Sequence, residues 1–356
     1  MRSMQIIEWG KPLQMRELPT PIPKGTELLV QVESCGVCHS DLHIWEGFFD
    51  LGNGQKFAIS ERGVHPPFTM GHEPVGKVIA QGPDAIGADI GKSYAVYPWI
   101  ECGHCRPCTT GLPQICDAPK IIGTRVAGAY SDHVIVPNAK YLVDYSGINP
   151  DLAATLACSG LTTYSALNKL DLAKMTNQDT LLIIGAGGLG LSAICIARAL
   201  CNARIVVVDI DSDKRAAART IGADIVIDSA ASDAGAQLSG FADAQDGRGI
   251  AASVDFVGLP QTMAFALAAL RKGGQHVHVG LFGGAHSISL PPLAFRMLRV
   301  MGSYVGTLEE FRALVKLVQG GLALPIPIST RPLDQAAQAL ADLQSGKILG
   351  RVVLRP

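Results

Sequence analysis

The sequence predicts an α/β protein, in which a doubly wound parallel sheet is joined to a second, differently built domain. Three observations predict it. The stretch 179–215 reads as an apolar strand, a glycine turn, a helix and a second apolar strand. Beyond it, "ADIVIDS" and "GIAASVDFVG" read as strands, "TMAFALAALRKGG" as a helix ending in glycine, and "QHVHVGLFGG" as another strand. Finally, the chain's 356 residues exceed the roughly 250–300 at which one hydrophobic core stops growing.

Composition and charge exclude several classes. A hydrophobic share of 48% with 39 glycines, 21 prolines and 6% aromatics is that of a globular, small-residue chain. The net charge of −1 and the lack of any Lys/Arg block argue against a nucleic-acid partner, which needs a concentrated positive footprint, so a small-molecule partner is expected. The N-terminus has neither the long apolar stretch nor the cleavage site of an export signal, and a cytoplasmic location is expected. The uncharged run Thr180–Ala197 approaches the length of a membrane span. Four glycines inside it, with Arg198 directly after, fit a strand, a turn and a buried helix instead, so no membrane association is expected.

In chain order, "SCGVCHSDLH" supplies Cys35, Cys38, His39 and His43, and "MGHEPVG" supplies His72 and Glu73. Each is weak alone, because a buried free cysteine is commonly a small hydrophobe. "ECGHCRPCTTGLPQIC" is stronger: Cys102, Cys105 and Cys108 are spaced CxxCxxC, and Cys116 follows. Nine cysteines, an odd number, without an export signal argue against a disulfide framework. No βαβ pattern flanks the cluster as a thioredoxin-like pair would require, and the spacing differs from ferredoxin runs. Four thiolates close a tetrahedral shell around zinc and leave no position for substrate, so this is read as a structural site. "LACSGLTTY" then adds Cys158.

Leu181–Ile184 suits a parallel strand buried on both faces. Gly185, Gly187 and Gly190 follow as GxGxxG, giving a tight turn, close approach of a pyrophosphate, and close packing of helix on strand. The next strand, Ile205–Val208, ends in Asp209, placed to bond an adenosine ribose and to repel a 2′-phosphate. This is a Rossmann unit, and NAD is favoured over NADP. Lys214 and Arg215 either reach the adenosine end or decorate a surface helix.

The segments "GVCHSDLH", "GHEPVG", the four-cysteine lobe, "LACSGLTTYSAL", "GAGGLG", "VVVDID" and "GRVVLRP" occur in an order that resembles the zinc-dependent medium-chain alcohol dehydrogenases nearly end to end. The resemblance implies a GroES-like β-barrel catalytic domain over 1–158, carrying the zinc lobe at about 101–117. A Rossmann domain over 159–302 and a segment 303–356 completing the first domain would follow. It implies a catalytic zinc on Cys38, His72 and Cys158, with Glu73 able to approach it, and therefore two zinc ions per chain. Such a zinc lowers the pKa of an alcohol so that hydride can pass to NAD. Cys35 would be a core residue at a strand end, and Cys195 and Cys201 packing residues.

Ser40 and His43 match the family's proton relay through the cofactor ribose; a helix cap is the other reading of Ser40. Asp41 matches the carboxylate that orients the ligand histidine, against a reading as a solvated loop acid. His39 and Arg351 match pyrophosphate contacts, Gly188 and Leu189 belong to the glycine turn, and Val279, Gly280 and Leu281 would lie against the nicotinamide. The long 44–70 segment borders the family's substrate channel. Trp45, Phe48, Phe49 and Trp99 are expected as apolar walls, with core cover or a subunit contact as the alternative for the two phenylalanines. An apolar primary, secondary or cyclic alcohol or ketone is favoured over a polyol. The family forms dimers or tetramers, and a homotetramer is expected. The competing readings are a zinc-free quinone reductase, a non-catalytic NAD-binding protein and a zinc-ribbon nucleic-acid module. The three ligands and the missing basic patch speak against them.

Overall fold

The computed structural model describes residues 1–243 and 249–356. The strand Leu28–Val37 is the hub of a seven-stranded sheet. It pairs antiparallel with Pro74–Gln81, with His133–Val136 and with the last strand, Arg351–Arg355. Ser93–Val96 and Leu142–Val143 extend one side, and Ile328–Pro332 extends the other. Leu28, Val30, Val32, Cys35 and Val37 are all buried, so the strand has core on both faces and only Gln31 is exposed along it. A small sheet of Arg2–Ile6, Gln14–Glu17 and Phe68–Thr69 packs beside it.

The chain leaves this unit through the helix Pro150–Thr155, capped by the Asn149 side chain, which accepts from Asp151 N and Leu152 N. A π-helical turn, Leu156–Gly160, follows and leads into the helix Leu161–Asn168.

Six parallel strands form the second sheet in the order Ile225–Asp228, Arg204–Asp209, Thr180–Ile184, Ile250–Asp255, Leu270–His278, Arg299–Gly302. The strand order reverses between Thr180–Ile184 and Ile250–Asp255, and the ligand crevice of such sheets opens beyond the carboxyl ends at that point. Thr180–Ile184 is buried throughout, and the uncharged run resolves into this strand and the helix Gly188–Leu200. No helix among the described residues is long and apolar enough to cross a membrane.

One element differs from expectation. The helix expected to run to a terminal glycine stops at Ala269, and Leu270 opens the next strand. Leu270 is buried opposite Ile250, and the register shift between Ile250 and Ala252 absorbs the Gly273–Gly274 pair, with Gly273 at φ 72°. Sheet pairing of a buried leucine outweighs its helix propensity.

Candidate active site

Cys38 stands where the hub strand ends and the helix His39–Glu46 begins. The helix start is held by Asp41, whose Oδ2 accepts from Cys38 N at 2.9 Å. Ser40 is therefore not the cap. Asp41 is fully buried rather than a solvated loop acid. Its Oδ1 lies 3.0 Å from His72 Nδ1, and Tyr130 OH donates to Oδ2 at 2.9 Å. The bond at Nδ1 leaves Nε2 as the free ring nitrogen, and Nε2 is buried with no partner.

Cys158 arrives from the π-helical turn, and its Sγ lies 3.9 Å from Cys38 Sγ. Single ligand atoms of Cys38, His72, Glu73 and Cys158 all fall within 4.8 Å of one another. A tetrahedral zinc with Zn–S bonds of about 2.3 Å sets its sulfurs about 3.8 Å apart. The orphaned Nε2 and the sulfur spacing therefore fit such an ion. Cys158 and His72 hold the Cys38 thiol well below its ordinary range, against burial. Burial pushes His72 down, but the Asp41 charge and hydrogen bond hold it well above an ordinary imidazole. Cys38, Cys158 and His72 would hold a cation with their thiols deprotonated and the imidazole neutral.

Glu73 lies behind this group. Its Oε2 pairs with the buried Arg351 guanidinium, and its Oε1 is buried without a partner. Burial raises its carboxyl to about 7, against the pull of Arg351. Gly36 makes the room: a Cβ there would lie 1.8 Å from Glu73 Oε2. The Arg351 side chain also abuts the glycine turn, since a Cβ on Gly188 would lie 2.3 Å from Arg351 Cδ. Arg351 thus lies under the turn rather than in the open cleft.

The four-cysteine lobe is a separate cluster. Cys105 Sγ lies 3.3 Å from Cys108 Sγ and 3.8 Å from Cys116 Sγ, and Cys102 Sγ lies 4.0 Å from Cys108 Sγ. These spacings are far from the ~2.05 Å of a disulfide and near those of a tetrahedral S4 shell. All four are free thiols. Backbone N–H groups of Cys102, Cys105 and Ala118 point at the sulfurs, and N–H groups beside Cys102 lower its thiol to about 6.

Between the two sheets lies a cavity of about 710 Å³. Cys38, Cys158, His39, Ser40 and His43 line one side, and Gly185, Gly187, Gly188, Leu189, Gly190, Asp209 and Lys214 line another. Val279, Gly280 and Leu281 border it at the sheet's carboxyl edge. Gly185 has φ 91°, a Cβ on Gly190 would strike Gly185 O at 1.8 Å, and a Cβ on Gly187 would meet nothing. The open space at Gly187 leaves room for a pyrophosphate to approach the backbone closely. Asp209 is braced by Ala186 N at 2.7 Å and Asp211 N at 2.9 Å. Arg215 is spent on Asp209 O and Asp228. Burial lowers His39 to about 4, so it faces the cleft as a neutral imidazole.

Of the expected walls, Phe49 and Trp99 line the cavity. Trp45 turns away, donating from Nε1 to Lys11 O at 2.6 Å, and Phe48 lies under Lys56 Nζ at 3.6 Å. The 44–70 segment forms a hairpin, Phe48–Gly52 with Gln55–Ala58, and a 3-10 turn, Ile59–Arg62. It adds Phe57 and Arg62 to the wall, and Thr124 and Tyr304 join from elsewhere. The sequence reading named none of these four; the composition of the 44–70 segment pointed to the wall but not to which side chains face it.

A thiol–imidazole cup opening on a glycine turn and a strand-end carboxylate defines a metal-dependent dehydrogenase of the two-domain, dinucleotide-binding class. The chain belongs to the zinc-type medium-chain alcohol dehydrogenases. Residues 24–146 match the alcohol dehydrogenase GroES-like domain and residues 188–320 the zinc-binding dehydrogenase family. It is 37% identical over 357 residues to an NAD-dependent alcohol dehydrogenase of Saccharolobus solfataricus, covering 100% of both chains. An enzyme of the same description from Sulfurisphaera tokodaii is 36% identical over 357 residues, again covering 100% of both. Among solved structures, the alcohol dehydrogenase of Aeropyrum pernix superposes with a TM-score of 0.88 at 26% identity, covering 100% of both chains. The barrel is GroES-like and the parallel sheet is a Rossmann domain, as the sequence predicted.

Proposed function

We propose that this chain is an NAD-dependent zinc alcohol dehydrogenase that interconverts a primary, secondary or cyclic alcohol with its aldehyde or ketone. The observation that carries the reading is His72 Nε2, buried and unpartnered in one cluster with the thiols of Cys38 and Cys158, which line the same cavity as the glycine turn. The NAD-dependent relatives support it. In this reading Cys38, His72 and Cys158 would hold a zinc supplying Lewis acidity toward the alcohol oxygen, and NAD would supply the hydride acceptor.

The chain's own groups do the rest. Asp41 fixes the His72 ring so that Nε2 faces inward. Gly185, Gly187, Gly188, Leu189 and Gly190 shape the pyrophosphate site, and His39 offers a neutral imidazole beside it. Arg351 supports that turn from below. Asp209 accepts from the adenosine ribose hydroxyls, and Lys214 approaches the adenosine end. Val279, Gly280 and Leu281 position the nicotinamide. Ser40 and His43 carry the alcohol proton to solvent, and Glu73, through its free Oε1, can approach the metal. Phe49 and Trp99 exclude water from the reacting carbon.

Cys102, Cys105, Cys108 and Cys116 would hold a second, structural zinc, supported by their spacing and N–H donors. The sheets support a division into residues 1–158 and 303–356 as one domain and 159–302 as the other. Family resemblance supports a cytoplasmic homo-oligomer, a tetramer over a dimer. The zinc-free quinone reductase reading is disfavoured by the Cys38, His72 and Cys158 group.

Metal analysis with an alcohol panel tests this. Two zinc ions per chain and NADH formation are expected, with Cys38→Ala losing one zinc and the activity. A single zinc in active protein would sink the two-site reading.

A further inference from the structure

Arg62 is a cation without an acid. It lines the cavity, its guanidinium lies 4.7 Å from the Phe49 ring centre and 5.2 Å from that of Phe57, and among the described residues it has no ion pair. Its Nε is buried without a partner, and so is Oγ1 of Thr124, a second cavity-lining group. A second arginine reaches the same stretch: Arg125 Nη1 donates to the Arg62 backbone carbonyl at 3.0 Å, and Arg125 Nε is likewise buried and unpartnered. Neither arginine has a carboxylate among the described residues, and burial in this aromatic setting disfavours the Arg62 charge. Two adjacent cations and an orphaned hydroxyl without a counter-charge make a site that lacks its anion.

Arg62 is on the substrate side of the cleft. It packs on Phe49, whose ring lies 4.8 Å from that of His43, and it shares the cavity lining with Trp99 and Tyr304, whose rings lie 5.9 Å apart, Trp99 being 5.6 Å from the His72 ring. The glycine turn and Asp209 belong to the other wall, so the pyrophosphate is not the missing anion.

We propose that Arg62 and Thr124, backed by Arg125, form a carboxylate-binding subsite, and that the enzyme acts on alcohols whose far end is a carboxylate, with the corresponding oxo acids as products. This rests on the alcohol dehydrogenase reading and names its substrate class. The carboxylate takes no part in the redox step: the carbinol carbon gives hydride to NAD, the hydroxyl proton goes to solvent, and the anion stays paired with Arg62. The apolar wall seats the methylene or aryl spacer between the two ends.

The test measures kcat/KM with NAD for ω-hydroxycarboxylates of increasing length, for their methyl esters and for 1-alkanols of equal length. The wild type, Arg62→Met and Arg62→Lys are compared. At least one acid should exceed its ester by about 10- to 100-fold, the scale of a charge-assisted pair. Arg62→Met should bring that ratio to near one, chiefly through KM for the acid, and Arg62→Lys should restore part of it. An acid-to-ester ratio near one across the wild-type series, or one unmoved by Arg62→Met, would overturn the subsite while oxidised alkanols leave the dehydrogenase reading standing. Neutral and acidic alcohols both inert with NAD and zinc would overturn the two together.

Discussion

Asp41 governs the metal cup without reaching it. Its two oxygens serve His72 Nδ1, Cys38 N and Tyr130 OH, so one carboxylate sets a ring tautomer, a helix start and a strand-end thiol. Asp41→Asn keeps the shape but removes the charge, and it should weaken zinc binding or activity by about 10- to 100-fold. Zinc titration with kcat/KM on the same preparation checks this; unchanged values would deny Asp41 that role. Asp209→Gly should relax the preference for NAD toward NADP, read as the ratio of the two specificity constants. It also removes the acceptor of Ala186 N and Asp211 N, so a loss of about 1–3 kcal/mol of stability accompanies it. Cys38, His72 and Cys158, each weak alone, were legible only through the family resemblance that their flanking motifs carry. Arg62 was not: an arginine in "SERGV" looks like any solvated charge until the hairpin folds it over Phe49.

The elements that carry the sites are short and irregular. Cys158 sits on a π-helical turn, a feature that recurs at functional sites. The four-cysteine lobe has only the helix Arg106–Thr109 and the 3-10 turn Pro113–Ile115. In the two-zinc proposal a lobe with so little regular structure would depend on ligation, so Cys105→Ser should release one zinc and lower the unfolding temperature while leaving the Cys38 zinc in place. Loss of both metals together would contradict the separate roles. On the hub strand, Gly36→Ala would drive a methyl into Glu73 and should destabilise by about 1–3 kcal/mol, checked by denaturant unfolding. Periodicity found five of the six parallel strands because each is a short apolar run; the edge strand Arg299–Gly302, largely exposed, carries no such signal. Periodicity overran the helix Pro260–Ala269 because Leu270 and its neighbours are helix formers, and only a partner strand reveals the switch.

At the scale of the whole molecule, the parallel, doubly wound character of the Rossmann sheet follows from the glycine turn and the α/β alternation. The partnership between the hub strand and the chain's last strand does not, because nothing local announces a pairing so remote. Resemblance alone implied it. Glu73 and Arg351 are 278 residues apart, and breaking that buried pair leaves an uncompensated charge. Arg351→Met should therefore cost about 3–5 kcal/mol, measured by chemical unfolding, and should weaken NAD binding. A variant as stable as the parent would show that the pair is dispensable.

Because the Arg351 side chain touches both Glu73 and Gly188, the metal and nucleotide equilibria of the proposed function would share a single mechanical joint. Thermodynamic reciprocity then applies: whatever factor zinc loading contributes to nucleotide affinity, nucleotide binding returns to zinc retention.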